Sequence, residues 1–265
     1  MKKIAIIGCG FLGNIVAEAC VKGLLDGYEL VGAMSRDSGK ARALTGYAGG
    51  KACRDIRELM ELKPDFVLEM ASVETVRQVA VSVLEQGCSL VPLSIGAFAD
   101  REFYEAVKEA ARKGGGKVHI PSGAVGGFDV LQTISLMAQA EGKALQAGIE
   151  TRKGPASLKN TPLFEDSLMT EEADRQVFSG TAKEAIALLP TKVNVAVATA
   201  LATAGPDAAT ARITSVPGME GDDHKLVARM DGMEAVVDIY SRSSSIAGWS
   251  VVALLRNLDS PVVFY

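Results

Sequence analysis

The sequence predicts an α/β fold, a doubly wound parallel sheet followed by an α+β second domain. Three observations carry this. Strand-like and helix-like segments take turns over roughly the first 120 residues, the pattern of a parallel sheet wrapped on both faces. A continuous apolar run, "KIAIIG" (3–8), opens the chain and meets three glycines. After about residue 125 the texture changes to longer strands with helices between them.

In chain order, "KIAIIG" reads as a strand buried on both faces, because parallel strands are covered by helices. "LGNIVAEACVKGLL" (12–25) follows at helical spacing, with Leu12, Ile15, Val16, Ala19 and Cys20 on one side. "YELVGAMSR" (28–36) is a strand, and "SGKARALTG" (38–46) is a helix stopped by Gly46. "DIRELMELK" (55–63) is helical and ends before Pro64. "DFVLEMA" (65–71) is a strand, and "VETVRQVAVSVLEQG" (73–87) a helix with Gly87 at its stop. "CSLVPLSIGA" (88–97) is a strand, "DREFYEAVKEAARKGG" (100–115) a helix capped by Asp100, and "KVHIPSGA" (117–124) a further strand.

Beyond it, "KALQAGIETRK" (143–153) and "KLVARMDGMEAVVDIYSR" (225–242) read as strands, the latter with a hairpin signal at Asp231-Gly232. "SGTAKEAIALLP" (179–190) and "NVAVATALATAG" (194–205) are helical, and "RKGPASLKNTP" (152–162) is the most linker-like stretch. "SIAGWSVVALLRNL" (245–258) is a helix suited to packing back on the first domain. The expected domains are therefore 1–121 with 243–265, and 122–242.

Composition narrows the function classes. The 265 residues are 48% hydrophobic, enough for a real core, and the formal net charge is −4. No basic stripe is present, which argues against nucleic acid. Cys9, Cys20, Cys53 and Cys88 are scattered without C-x-x-C or a histidine cluster, so neither a metal site nor a disulfide framework is indicated. Reduced, buried thiols in the cytoplasm are the simpler reading. The opening apolar run is too short and glycine-rich for a signal peptide or membrane span.

Gly8-x-Gly10-x-x-Gly13 stands between a strand and a helix. The first glycine permits the tight turn, the second lets a pyrophosphate approach the backbone, and the third lets helix and strand pack closely. The helix N-terminus then offers free N–H groups to the phosphates. This is the Rossmann-type dinucleotide loop, and it makes Gly8, Gly10, Phe11, Leu12 and Gly13 cofactor-binding candidates; the competing reading is a packing turn. At the end of the second strand stand Ser35 and Arg36, with Asp37 next. A hydroxyl and a guanidinium suit a 2′-phosphate and point to NADP, or to use of both NADP and NAD. Alternatively, Asp37 binds a ribose 2′-OH and Arg36 is a solvated surface charge.

Two histidines are present. His119, inside "KVHIP", reads as a packed strand residue. His224 follows a glycine-containing loop at the start of a strand, beside Asp222 and Asp223. Neighbouring carboxylates would raise its pKa and orient the ring; the alternative is an exposed loop histidine. "IPSGAVGGFD" (120–129) places Pro121, Ser122 and three glycines at a strand end, where open parallel sheets bind ligands, or where an interdomain turn would sit. Glu69, Glu74 and Asp129 form no pair that spacing can identify as acid and base.

With these residues assembled, the chain resembles the L-aspartate dehydrogenase family over nearly its full length. The resemblance lies in "GCGFLG"; in Asp65, Val67, Glu69, Ala71 and Ser72; and in Ser94, Gly96 and Ala97. It continues in Pro121 through Asp129, in Thr151-Arg152-Lys153, and in Phe178, Gly180, Ala182, Glu184 and Ala185 followed by Asn194-Val195-Ala196. It implies that His224 is the catalytic residue and that Ala124 and Asn194 contact the nicotinamide. Ala71 and Ser72 join the cofactor set. Ser122 and Lys153 are candidates for holding substrate carboxylates.

The implied activity is oxidation of L-aspartate to iminosuccinate, then oxaloacetate and ammonia, or the reverse, with NADP or NAD. It further implies a link to NAD biosynthesis and a cytoplasmic homodimer. Two departures bear on the substrate. Asp222 stands where the family commonly has asparagine, and an acidic group there would repel a dicarboxylate unless protonated or turned away. "SRSSSIAGWS" (241–250) replaces a "P-x-N-P-K-T-S" stretch. The rival readings are a related dehydrogenase or reductase for another amino or keto acid, and a nucleotide-binding sensor without turnover.

Overall fold

The computed structural model describes residues 1–189 and 194–264. They form two compact units, Met1–Gly123 with Ser244–Tyr265, and Ala124–Ser243.

The first unit begins with β1 (Lys2–Ile7), α1 (Phe11–Val21), β2 (Tyr28–Met34), α2 (Ser38–Ala48), β3 (Lys51–Cys53) and α3 (Ile56–Glu61). It continues with β4 (Phe66–Glu69), α4 (Val73–Glu85), β5 (Ser89–Pro92) and α5 (Arg101–Gly114). Among the described residues its sheet has the order β3-β2-β1-β4-β5, and every pairing is parallel. The last four residues of β1 are buried, as a central parallel strand requires. Helix α4 shows why a helix settles on such a sheet: Val76, Val79, Ala80, Val83 and Leu84 make one buried stripe. Its first turn is capped by Ser72, whose Oγ accepts from Thr75 N at 3.1 Å. Asp100 caps α5 through Phe103 N at 3.1 Å.

The second unit holds α6 (Phe128–Glu141), β6 (Gln146–Lys153), β7 (Arg175–Thr181), α7 (Ala182–Leu188) and α8 (Asn194–Ala202). It ends with β8 (Thr210–Ser215), β9 (Asp222–Met230) and β10 (Met233–Ser241). Its sheet has the order β10-β9-β6-β8-β7. β6 and β8 run parallel, and the other pairs are antiparallel. The inward face, with Ile149, Ala211, Ile213, Leu226 and Ala228, joins Leu131, Ile134 and Ala196 in one core. The β9–β10 hairpin turns at Asp231-Gly232, where Gly232 takes the positive φ of 81°. The chain's last helix, α9 (Ser245–Asp259), belongs to the first unit, where Gly248 lies against Ile15 of α1 and Tyr28 Oη donates to the Leu255 carbonyl at 2.8 Å.

Several local expectations are corrected. Residues 117–124 form no strand beyond a single bridge from Val118 to Leu90, because Pro121 lacks a donor and the segment turns through Gly123 at φ 66°. The strand predicted over 88–97 ends at Pro92 and passes into a 3₁₀ turn, Ile95–Ala99. Gly46 does not stop α2; the positive-φ pair Gly49-Gly50 does. The helix predicted from 179 starts at Ala182, after a strand, with a capping box between Thr181 and Glu184. Pro190, its predicted end, lies outside the described residues. The linker-like stretch lies within the second unit, where Leu158 is part of the core.

Candidate functional site

Each unit contributes its own set of candidate residues. In the first, the glycine loop joins β1 to α1. Gly8 sits at φ +102° and donates to the Met34 carbonyl at 2.9 Å. A Cβ on Gly8 would stand 2.5 Å from the Met70 carbonyl oxygen, and one on Gly13 would overlap the Gly8 carbonyl. A Cβ on Gly10 would meet nothing within 4 Å. Two glycines thus bring backbone to backbone, while the third leaves a free approach above the loop.

Asn14 holds the loop's shape. Its Nδ2 donates to the carbonyls of Cys9 (3.3 Å) and Gly10 (2.7 Å), and its Oδ1 accepts from Tyr47 Oη at 2.9 Å. No side chain caps the N-terminus of α1, so its first N–H groups at Phe11, Leu12 and Gly13 remain available to an anion. These residues fit a dinucleotide's pyrophosphate.

At the end of β2, Asp37 Oδ1 accepts from Gly39 N at 2.9 Å and caps α2. Arg36 is exposed and among the described residues has no side-chain hydrogen bond or ion pair, and Ser35 is half-buried beside it. The guanidinium, not the carboxylate, is the uncommitted charge at this strand end.

Glu69 has a role that its sequence position did not reveal. Its fully buried carboxylate accepts from Ala71 N (2.7 Å), Ser72 N (2.8 Å), Ser94 Oγ (3.0 Å) and Ser94 N (3.1 Å). Burial pushes its pKa up, while the four donors pull it back. One carboxylate therefore ties together the ends of β4 and β5 and fixes Ala71 and Ser72 beside Gly8. The resemblance over Asp65, Val67, Glu69, Ala71 and Ser72 is its one sequence signal.

"PSGA" carries the chain from the first unit into the second, between Gly123 and Ala124. Gly123 N donates to Ser250 Oγ of α9 at 3.0 Å, which anchors the turn next to half-buried Ser122. His119 is a packed residue: its N–H donates to the Leu90 carbonyl at 2.8 Å, its ring lies 5.8 Å from that of Phe66, and burial lowers its pKa.

In the second unit, the register of β6 against β9 sets Thr151 opposite His224 and Lys153 opposite Asp222. Paired antiparallel positions share a face, so these four side chains stand together. His224 is only 4% exposed, and its Nδ1 lies 2.9 Å from Thr151 Oγ1. Among the described residues no buried side-chain nitrogen or oxygen lacks a partner. Nε2 has none, so it is the ring edge that reaches the surface. Lys153 Nζ lies 3.2 Å from Asp222 Oδ1.

This geometry corrects two expectations. The ring is oriented by a hydroxyl rather than a carboxylate. Its pKa is lowered to about 4, because burial outweighs the upward pull of Asp222, and Lys153 adds to the lowering. Nor is His224 an exposed loop residue. Asp222 is turned to a cation, which offsets the repulsion expected of an unpaired carboxylate. Asn194 opens α8, and Ala124 opens the second unit. Among the described residues no group of three histidine, cysteine or acidic side chains could hold a metal.

Comparison with known proteins fits this pattern. Residues 135–258 match the family described as "Aspartate dehydrogenase, C-terminal", and residues 8–121 match "Homoserine dehydrogenase, NAD binding domain". The chain is 30% identical over 271 residues to an L-aspartate dehydrogenase of Methanococcus maripaludis strain C6, covering 99% of this chain and 98% of that one. It is 32% identical over 280 residues to the L-aspartate dehydrogenase of Methanosarcina mazei, with the same coverage. Among solved structures, aspartate dehydrogenase from Thermotoga maritima superposes with a TM-score of 0.78 at 26% identity, over 100% of both chains. A hyperthermophilic archaeal homoserine dehydrogenase in complex with NADPH, at 13% identity and TM-score 0.58, shares the fold over 100% of both chains.

Proposed function

The chain belongs to the L-aspartate dehydrogenase family, and from that premise we infer that it is an NAD(P)-dependent oxidoreductase acting on the amino group of L-aspartate. The product is iminosuccinate, which water converts to oxaloacetate and ammonia, and the family places this imine on a route to NAD. The single observation that best supports a catalytic site is the buried His224 ring, held by Thr151 with Nε2 at the surface.

When bound, the nicotinamide supplies the hydride acceptor, or the donor in reverse. The chain's own residues position and move protons. With its pKa near 4, His224 is neutral at pH 7, so Nε2 is able to take a proton from the amine or from the attacking water. Thr151 suits both states of the ring. For Nε2 to be the acceptor the neutral ring carries its proton on Nδ1, so Thr151 Oγ1 accepts from Nδ1–H in the neutral ring and in the imidazolium alike. Lys153 and Ser122 are assigned to substrate carboxylates. Gly8, Gly10, Phe11, Leu12, Gly13, Ala71, Ser72, Ala124 and Asn194 are assigned to the cofactor.

A panel of amino and keto acids, read at 340 nm with each cofactor, tests this reading. L-Aspartate should show the highest kcat/KM among the amino acids. A higher value for another amino acid would transfer the assignment to a related dehydrogenase.

The cofactor preference we propose is NADP, because Arg36 is uncommitted and Asp37 is engaged in capping. Arg36→Ala should raise KM for NADPH by about tenfold, equivalent to ~1.4 kcal/mol, and leave KM for NADH within about twofold. Equal effects on both cofactors would remove Arg36 from the choice.

The proposed assembly is a homodimer. The outward face of β10 leaves Val236 and Tyr240 47% and 53% exposed, apolar surface that a second copy could cover. Light scattering on the purified chain decides this. No helix among the described residues is long and apolar enough to cross a membrane; the proposed location is the cytoplasm.

A further inference from the structure

Lys153 and Asp222 make an ion pair whose two members are unequally placed. The lysine side chain is 14% exposed, and the aspartate side chain 39%. Oδ1 lies on Nζ, and among the described residues Oδ2 accepts no hydrogen bond. Among the described residues the Lys153 ammonium has no hydrogen-bond or ion-pair partner besides Asp222, so N–H groups of it remain unspent. A partly exposed aspartate side chain and a mostly buried lysine side chain thus stand side by side. They lie on the same sheet face as His224, two residues along β9, about 7 Å at the usual strand rise. The same closeness appears in the pull of both charges on the imidazole.

An α-amino acid carries the complementary pattern, a carboxylate and an ammonium joined through one carbon. We propose that Asp222 is the residue that recognises the substrate's nitrogen, its Oδ2 accepting from the ammonium or amine while Lys153 holds a carboxylate. This rests on the amino-acid dehydrogenase reading above and deepens it. Asp222 makes the site selective for an amino acid over the dicarboxylate or hydroxy acid of the same length. It also holds the nitrogen on the face of the sheet where His224 presents Nε2. In this chain an acidic group is therefore a gain for recognition, since Lys153 already balances its charge.

The test is calorimetric titration of the full chain saturated with NADPH, with L-aspartate and with succinate, which lacks only the amine. Asp222→Asn should weaken L-aspartate by about 10- to 100-fold and leave succinate within about twofold, or tighter. In the reductive direction, KM for ammonium should rise while KM for oxaloacetate stays within about twofold. Asp222→Ser removes the same charge with less bulk and serves if the amide variant does not fold. Unchanged L-aspartate affinity in these variants would overturn the proposal. So would equal loss of both ligands, because Asp222 would then act only by holding Lys153. A wild-type chain that binds neither ligand would remove the amino-acid reading itself, and the proposal with it.

Discussion

Replacing His224 by alanine should lower kcat for L-aspartate oxidation by about 10²-fold or more, with the Kd for NADPH within about twofold of wild type. The cofactor candidates with a defined loop geometry lie in the first unit, and His224 lies in the second. In the proposed mechanism, loss of the ring removes the proton acceptor and leaves the glycine loop untouched. Near wild-type turnover in this variant would take the histidine out of the mechanism.

The pH dependence of stability provides a second check on the same group. The folded pKa is about 4, against an ordinary value near 6.5, so between these pH values the unfolded chain binds a proton that the folded chain does not. Stability should fall as pH drops from about 6.5 toward 4, by up to about 3 kcal/mol. His224→Asn should show a flatter curve over this window, measured as urea midpoints at each pH. An unchanged slope would mean that the ring does not titrate with folding.

The parallel sheet was readable because its strands are continuous apolar runs with no alternation to misinterpret. "KIAIIG", "DFVLE" and "SLVP" are buried over most of their length, as strands of a covered parallel sheet are. The second unit's strands have one polar face, and β7 and β8 are rich in threonine, serine and arginine, so "TARITS" carries no strand signal and the end of "RQVFSGT" is absorbed into the helix predicted from 179. Helix α6 was hidden behind Gly126 and Gly127, which made the whole stretch look like a turn; Gly127 in fact takes the left-handed conformation as its N-cap. His224 was identifiable as a candidate. Its burial and its partner were not, because both depend on cross-strand register. Thr151 and Lys153 lie more than 65 residues away in sequence and meet His224 and Asp222 only once β6 and β9 pair. The Lys153 partner that offsets the charge of Asp222 is hidden in the sequence for the same reason. Glu69 escaped because a buried carboxylate satisfied by four donors has no local signature; only the fold shows which N–H groups converge on it.

The three loop glycines should respond differently to one added methyl group, and the difference separates folding from binding. Gly10→Ala should leave the melting temperature of the cofactor-free chain within about 1–2 °C, because φ at Gly10 is −87° and nothing lies within 4 Å of the new Cβ. It should nevertheless weaken NADPH by roughly 10²-fold, since the methyl group would occupy the space where a pyrophosphate approaches the backbone. Gly8→Ala forces an L-residue to φ +102° with its Cβ against the Met70 carbonyl, and Gly13→Ala pushes α1 off the Gly8 carbonyl. Both should cost several kcal/mol of stability before any ligand is added, because main-chain atoms, not a flexible side chain, have to give way. Thermal melts with and without NADPH, combined with titration of the cofactor, resolve the two effects. A Gly10→Ala chain that is stable and binds NADPH like wild type would show that the pyrophosphate does not lie on this loop, and the assignment of Phe11 and Leu12 to the cofactor would fall with it.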